Sequence, residues 1–260
     1  MYKSEKELAF LRDLSVDSEW TERFTEHFDK NYKFTDEESI LYINVGTGNH
    51  ALALREKLDP KIEIYGVTEN EHFTVIAKAK AAAVKADIDF SSLISPDRYD
   101  LVIADATFVR PSEIAHFIDK ICRTVDDRIA MFLPTTGSFG EVFSMLWEVL
   151  LEHELADKTY VAEKLVKELP TVSEIEEILK SAGLKKIRAK TDIEIFEFEN
   201  GKEFVESTLV SDFLLPQWLA EFTKPEKNKI RKLLAKTIDR NRDDLTFRFT
   251  VKASMFGAVK

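Results

Sequence analysis

Cysteine is nearly absent from this sequence, which has one, Cys122, in 260 residues. A single thiol excludes a disulfide within the chain and a zinc site built from several cysteines. The five histidines provide no metal pair either, because none is spaced with a second histidine or a carboxylate in the usual way. We therefore expect no metal site.

Clusters of lysine and arginine are also lacking, since 37 basic residues stand against 47 acidic ones and leave a formal net charge of −10. Proteins bind nucleic-acid backbones through clustered basic side chains. An acidic chain without such a cluster is therefore expected to act on a small molecule and to have no nucleic-acid partner.

Long apolar runs are missing as well. No run approaches the length of a membrane span, and the charged N-terminus lacks the apolar centre of a signal peptide. We expect a cytoplasmic protein without a membrane partner, and nothing in the composition selects an oligomeric state.

A chain of 260 residues can bury one sizeable core, and α/β folds of this length are commonly one domain with insertions.

The most informative segment runs from Ile40 to Leu54, where an apolar strand leads into a turn with two glycines and then into an apolar-faced helix. Gly46 and Gly48 lack a Cβ, so the backbone can approach a ligand closely and can adopt positive φ without steric cost. The start of the following helix offers unpaired N–H donors to a ligand on this turn. The segment predicts a nucleotide-like ligand, and the glycines alone leave its identity open.

Strands and helices alternate after this turn. Apolar runs without polar alternation predict strands that are buried on both faces. Two helical stretches and two further strands with an alternating pattern follow. The further strands are predicted at 61–69, up to Asp89 and Phe90, at 98–106, at 128–133 where Pro134 ends the strand, at 184–198 and at 245–259.

In this order the segments resemble the class I S-adenosylmethionine-dependent methyltransferases, over most of the chain. The family's first motif, acidic-x-Gly-x-Gly-x-Gly, is matched by Asn44 to His50, with Asn44 in place of the acid and His50 in place of the last glycine. The resemblance implies an α/β, Rossmann-like three-layer sandwich whose seven-stranded, mostly parallel sheet has an antiparallel last strand. It implies one domain over 1–260, made of an N-terminal helical lid (1–38), a cofactor-binding core (39–135) and two helical insertions (136–170 and 200–243) that contribute to the lid.

The resemblance also implies S-adenosylmethionine as the cofactor. The family reads the ribose with an acid after its second strand, where this chain has Thr68 and then Glu69, and it reads the adenine with an acid near its third strand. The implied cofactor-binding residues are Asn44, Gly46, Thr47 and Gly48 at the turn, Thr68 and Glu69 at the ribose, Asp89 and Phe90 at the adenine, and Asp105 near the methionine part.

A further helix is predicted to begin after Leu14, with Asp17 or Ser18 as its cap, and it carries Arg23. Arg23 either meets the carboxylate of the cofactor or is a solvated helix charge. Aromatic residues on this helix and in the insertions either line an apolar substrate pocket or form stripes of the core. The substrate-pocket candidates are Trp20, Phe108, Phe213 and Trp218.

Two functions stay open on the sequence. The first is methyl transfer to a small, partly apolar metabolite, which requires no dedicated catalytic residue because a sulfonium is already electrophilic and positioning supplies much of the rate. No catalytic residue is assigned on this basis. The second is a non-catalytic descendant of the fold that binds a ligand or a partner protein, with Asn44 and Thr68 marking lost acids. The sequence favours the enzyme.

Overall fold

A computed structural model describes residues 3–241 and 245–260. The chain divides into two compact units, the first made of residues 3–133, 172–191 and 254–260 and the second of residues 134–171, 192–241 and 245–253. The two segments predicted as helical insertions fall together in the second unit. Residues 242 and 243 of the second insertion, and residues 1 and 2 of the predicted lid, lie outside the described residues.

Seven strands form one sheet in the order β3-β2-β1-β4-β5-β7-β6. Strand β1 is parallel to β2 and β4, β2 is parallel to β3, and β4 is parallel to β5. The last strands run antiparallel, which confirms the predicted Rossmann-like fold. The strands are β1 (Ser39–Ile43), β2 (Glu63–Val67), β3 (Asp89–Ser91), β4 (Tyr99–Asp105), β5 (Val125–Thr135), β6 (Lys185–Phe198) and β7 (Phe247–Val259).

Helices connect the strands and precede β1. A helical run with a π-helical middle, Arg12–Thr21, opens the chain, and we call this middle part the π segment. Among the described residues no helix is both long and apolar enough to span a bilayer. The α-helices are α1 (Glu5–Leu11), α2 (Glu22–Asn31), α3 (Asn49–Lys57), α4 (Glu71–Val84), α5 (Ile114–Cys122), α6 (Gly140–Glu152), α7 (Tyr160–Glu168), α8 (Val172–Ser181), α9 (Gly201–Glu206), α10 (Leu215–Trp218) and α11 (Lys224–Asn241).

The strand order reverses between β1 and β4. Strands β2 and β3 lie on one side of β1, and β4 and β5 lie on the other. Connections therefore leave the carboxyl ends of β1 and β4 in opposite directions, and a crevice opens between them. In open α/β sheets such a crevice is where ligands bind.

Alternate residues of the central strands cover the two faces of the sheet in the first unit. Leu41 of β1 and Met131 of β5 belong to a core that also contains residues of α5 and α8. On β5 the neighbouring residue Phe132 contacts Phe24 and Phe28 of α2. Because successive side chains of a strand point to opposite faces, α2 covers the face opposite α5 and α8.

Two local predictions are wrong. The N-terminal helix begins earlier than predicted, with Ser4 and Glu7 forming a capping box, so Asp17 lies inside the helical run and caps nothing. Ser18, the alternative cap, lies inside the π segment as well. Strand β5 also continues past Pro134 to Thr135, although a proline lacks the N–H that the ladder uses.

Candidate functional site

A cavity of about 80 Å³ lies in the first unit, at the crevice where the strand order reverses. It is bounded by residues that follow β1, β2 and β4, and by one residue of the N-terminal helical run. Its lining residues are Arg12, Asn44, Glu69, Asp105, Phe108 and Val109.

The glycine turn stands beside this cavity, between β1 and α3. Gly46 has φ +61° and Gly48 has φ +86°, conformations that suit glycine because L side chains are strained there. A Cβ built on Gly46 would lie 3.7 Å from Arg12 Nη2 and 3.7 Å from Asp17 Oδ1. The sequence predicts that a ligand contacts this face of the turn. In the structure, the side chains of Arg12 and Asp17 from the π segment cover it.

Asp17 joins the π segment to the turn. Its Oδ1 accepts a hydrogen bond from Arg12 Nε at 2.7 Å, and its Oδ2 accepts from Asn49 Nδ2 at 3.0 Å. The buried hydroxyl of Thr47 lies 2.8 Å from Asp17 Oδ2 and 2.6 Å from Asp13 Oδ1. Lys80 Nζ also contacts Asp13. Thr47, predicted to hold the cofactor, thus contacts two acids of the protein itself.

Arg12 is the central cation of the site and is 2 % exposed. Its Nη2 lies 3.5 Å from Asp105 Oδ2, its Nη1 lies 3.9 Å from Glu69 Oε1, and its Cζ lies 4.3 Å from the centre of the Phe108 ring. Burial lowers the pKa of a guanidinium, but Asp17, Glu69 and Asp105 outweigh that effect and raise the pKa of Arg12. Arg12 therefore carries its charge in the interior.

Asp105 ends β4 and is 3 % exposed. Its Oδ1 accepts a hydrogen bond from the Thr107 backbone N–H at 2.8 Å, and its main-chain oxygen accepts one from Asn44 Nδ2 at 3.0 Å. Its Oδ2 is buried and accepts no hydrogen bond from any described residue. The Thr107 hydroxyl oxygen is also buried and forms no hydrogen bond with any described residue. Burial raises the pKa of Asp105, although Arg12 lowers it in part.

Asn44 has a local role that explains its presence where the family motif has an acid. It adopts φ +55°, a conformation that asparagine tolerates better than most residues. Its side chain ties the end of β1 to the last carbonyl of β4. Asn44 also lines the cavity, and its predicted contact with a cofactor stays a prediction.

Of the two residues after β2, only Glu69 lines the cavity. Thr68 is buried, and its hydroxyl lies 2.6 Å from that of Thr74 and donates to the Asn70 carbonyl at 3.0 Å. The Glu69 side chain is 29 % exposed. Desolvation raises its pKa to about 7, opposed by Arg12 and assisted by Asp105 and Asp17.

The structure does not place Asp89 and Phe90 as the adenine site requires. Asp89 is exposed and begins β3, opposite Tyr65 of the parallel neighbour β2, so it lies at the amino end of the strand rather than at the ligand edge. The Phe90 ring is buried between two glycines. A Cβ on Gly66 would lie 2.4 Å from Phe90 Cδ1, and one on Gly48 would lie 3.0 Å from its Cζ. This ring is packed in the core and offers no face to a ligand.

The arginine at the site is Arg12 rather than Arg23. Arg23 lies on α2, where its Nε donates to the Glu19 carbonyl of the same helical run at 3.1 Å. Sequence reasoning missed Arg12 and Asp17 because a pair five residues apart does not share a face of an α-helix. Such a pair does meet in a π-helix, which has i to i+5 hydrogen bonds.

The four aromatic candidates for the substrate pocket divide between the two units. Trp20 is buried with its ring 5.7 Å from that of half-buried Phe108, in the first unit. Trp218 is buried in the second unit, where its ring lies 5.1 Å from that of Phe139 and 5.3 Å from that of Phe143. Phe213 is half-buried in the second unit. Trp218 thus belongs to a core stripe, and a pocket shared by all four stays a prediction.

Charge sets the chemistry of the site. Among the described residues, Asp13, Asp17, Glu69 and Asp105 form their ion pairs with the cations Arg12 and Lys80. An excess of carboxylates in a partly buried site attracts positively charged ligands. Within the described part of the chain, no group of histidine, cysteine and acidic side chains has the arrangement of a metal site.

Comparisons with known proteins identify solved structures with a similar fold. No family model and no curated protein sequence matches the chain. YcgJ from Bacillus subtilis is similar in structure, with TM-score 0.58 and 13% identity over 92% of this chain and 98% of that one. Phosphoethanolamine N-methyltransferase 2 from Haemonchus contortus gives TM-score 0.55 and 15% identity over 99% of this chain and 58% of that one. The mycolic acid cyclopropane synthase CmaA1 is similar with TM-score 0.51 and 12% identity, over 95% of this chain and 86% of that one.

The chain has the class I methyltransferase fold. In this fold the cavity beside Gly46 and Asp105 lies at the ligand edge of the sheet, after β1 and β4. The methyltransferase fold therefore agrees with the position of the site.

Proposed function

We propose that this protein binds S-adenosylmethionine at the cavity edge and transfers its methyl group to a small, partly apolar acceptor. The observation that supports this most is Asp105. This carboxylate ends β4 at the reversal of strand order, and one of its buried oxygens accepts no hydrogen bond from the described residues. A buried acceptor without a donor is costly unless a ligand supplies the donor or the charge.

The residues present suit a cationic methyl donor. S-adenosylmethionine carries a sulfonium, and when bound it would supply an electrophilic methyl group. Asp13, Asp17 and Asp105 outnumber the cations Arg12 and Lys80, and Glu69 adds a negative charge when it is ionised, so the site favours such a cation. Similar folds were solved with these molecules, the Haemonchus contortus enzyme with S-adenosylhomocysteine and with S-adenosyl-L-methionine.

Glu69 adds a possible proton acceptor for the reaction. Its pKa of about 7 lies in the range where a carboxylate takes up and releases protons near neutral pH. An acceptor that loses a proton on methylation could pass it to Glu69 Oε1, which faces the site. A more acidic acceptor would not require this step.

The cavity limits what can enter the site as it stands. Its volume of about 80 Å³ is small beside the roughly 300–1,000 Å³ of ordinary ligand pockets. A nucleoside-sized donor therefore requires the side chains of the π segment to move from the turn. Segments that must open and close over a ligand are common in enzymes of this kind.

A second candidate draws support from the same small cavity. In a non-catalytic descendant of the fold, Arg12 and Asp17 would be permanent occupants of the former cofactor site. Such a protein would bind a smaller ligand or a partner protein and would show no transfer of a labelled methyl group to any acceptor.

Calorimetric titration with S-adenosylmethionine tests the proposal. The variant Gly46→Val adds a branched side chain to the face of the turn that Arg12 and Asp17 now contact, and the donor should bind at least tenfold more weakly. Gly183→Val is the matched control, because Gly183 also has positive φ, at +89°, but has open space around it. Both variants should lose about 1–2 kcal/mol of stability from the strained backbone. Absence of donor binding to the unmodified chain, or equal binding to both variants, would contradict the proposal.

A further inference from the structure

Asp105, Glu69 and Phe108 surround the guanidinium of Arg12, and we call these three residues the cradle. Two carboxylates and one aromatic face on a single planar cation form a recognisable set of contacts. Carboxylates bind cations by charge, and an aromatic face attracts them through its quadrupole. These three contacts are all with the guanidinium group of Arg12, so another cation of similar shape could make them as well.

The fit between Arg12 and the cradle is loose. Its distances to Asp105 Oδ2 and Glu69 Oε1 are 3.5 and 3.9 Å, beyond the usual 2.7–2.9 Å or so of a charge-assisted hydrogen bond. Asp105 Oδ2 accepts no hydrogen bond from the described chain. The cradle therefore retains an unsatisfied acceptor although a cation is present.

The short hydrogen bonds of Arg12 lie within its own segment. Nε donates to Asp17 at 2.7 Å and Nη2 donates to Thr21 at 3.0 Å, and all three residues belong to the π segment. The segment can thus leave the cradle with these bonds intact. Its ties to the turn are the contacts of Asp17 with Thr47 and Asn49 and the contact of Asp13 with Thr47.

The conformation of the segment also points to a functional role. It is π-helical over Arg12–Thr21, between α1 and α2. Long π-helical stretches are rare, and π turns occur frequently at functional sites. The wider turn is what brings Arg12 and Asp17 together above Gly46.

We propose that the cradle is a binding site for an organic cation, and that Arg12 occupies it as an internal substitute until a ligand displaces the π segment. The ligand places its positive charge beside Asp105 Oδ2 and a flat or alkylated part against Phe108. The ligand class is an alkylated guanidinium, ammonium or sulfonium. The proposal rests on the proposed function only for the second of its two tests.

The first test uses the full chain carrying Arg12→Ala and a small cation that resembles the lost group. Methylguanidinium chloride at tens of millimolar should raise the Tm of Arg12→Ala by about 2–4 °C relative to sodium chloride at equal ionic strength. Methylurea, which is neutral and of similar shape, should not raise it. The double variant Arg12→Ala, Asp105→Asn should show no response to methylguanidinium.

An equal response of the double variant, or no response of Arg12→Ala, would overturn the cation site. Should Arg12→Ala fail to fold, Arg12→Met retains most of the apolar stem and receives the same titrations. The same outcomes then decide the proposal.

The second test measures displacement. If Arg12 competes with the ligand, removal of its side chain should strengthen binding of S-adenosylmethionine about tenfold in calorimetry, because the ligand no longer has to displace it. Equal or weaker binding would overturn the role of Arg12 as a substitute. Binding of methylguanidinium without binding of S-adenosylmethionine would support the cation site and contradict the proposed function. Failure of the cation-site proposal can therefore be distinguished from failure of the proposed function.

Discussion

At the scale of single residues, Phe90 determines why glycine stands at two positions in the first unit. Its buried ring occupies the space where a side chain would begin on Gly66 of β2 and on Gly48 of the turn. The positive φ of Gly48 is a second reason for glycine there, whereas Gly66 has no such requirement. Gly66 is therefore a position where packing alone excludes a side chain.

Gly66→Ala should be destabilising by about 2 kcal/mol, because its Cβ would meet Phe90 Cδ1 at 2.4 Å and overpacking of a core typically costs about 1–3 kcal/mol. The matched control is Gly257→Ala in β7, where a Cβ meets nothing within 4 Å. Urea unfolding measures both. Equal stability of the two variants would show that the Phe90 ring can move away from the new Cβ without a large loss of stability.

Glu69 makes the stability of the fold depend on pH. Its pKa is raised to about 7 in the folded chain, whereas an unfolded glutamate titrates near about 4.3. Between these values the folded state holds more protons, so stability falls as pH rises from about 4 to 7 and stays low above that range.

Glu69→Gln should remove that part of the pH dependence. We expect the loss of stability between pH 5 and pH 8 to be smaller by about 1 kcal/mol in the variant, a value reduced for the partial exposure of the side chain. Urea unfolding at the two pH values gives the comparison. An unchanged pH dependence would mean that Glu69 is already ionised at pH 5 in the folded chain.

At the scale of elements, the helical run Glu5–Leu11, Arg12–Thr21 and Glu22–Asn31 contacts the glycine turn through the carboxylates of Asp13 and Asp17. Asp17 contacts Arg12 within the run and Thr47 and Asn49 beyond it. Removal of one partner from a buried ion pair leaves the other charge uncompensated, which costs about 3–5 kcal/mol. Glu69 and Asp105 compensate Arg12 in part.

Asp17→Asn should therefore destabilise the protein by about 3 kcal/mol, at the low end of that range, and should speed amide hydrogen exchange in the π segment. Glu26→Gln is the matched control, because it makes the same chemical change at an exposed position of α2 and should cost no more than about 0.5 kcal/mol. Equal exchange in the two variants would show that Asp17 does not hold the segment.

The elements that sequence predicts well are those with strong apolar patterns. Strand β4 was expected over 98–106 and spans Tyr99–Asp105, and β7 was expected from 245 and begins at Phe247. Buried strands carry their own signal in continuous apolar residues. The seven-stranded, mostly parallel sheet with an antiparallel last strand followed from the family resemblance and is confirmed.

The site was less predictable because its contacts do not follow regular spacing. Gly46, Asn44, Glu69 and Asp105 were expected near a ligand, and the structure places them around one crevice. Arg12 was not found, since an α-helical pattern gives no reason to pair it with Asp17. The sequence predicted Phe90 at the adenine, but its ring packs into the space beside Gly66. This placement depends on a contact between two strands, which the sequence pattern around Phe90 does not show.

At the scale of the whole molecule, the distribution of charge bears on the substrate class that we propose. The formal net charge of −10 disfavours binding to a phosphate backbone, and the carboxylates beside Arg12 favour cations. The methyltransferase fold places these carboxylates at its ligand edge. This distribution of charge supports the proposed small acceptor and cationic donor.

A crystal structure of the full chain grown with S-adenosylmethionine tests the central claim most directly. We predict density for the donor along Gly46 and Asp105, with the Arg12 guanidinium withdrawn from the Phe108 ring that it now faces at 4.3 Å. Crystals soaked with the demethylated product should show the same position at lower occupancy, because the product lacks the sulfonium charge. A structure that retains Arg12 on Phe108, with no donor density beside Asp105 at saturating concentration, would contradict the account.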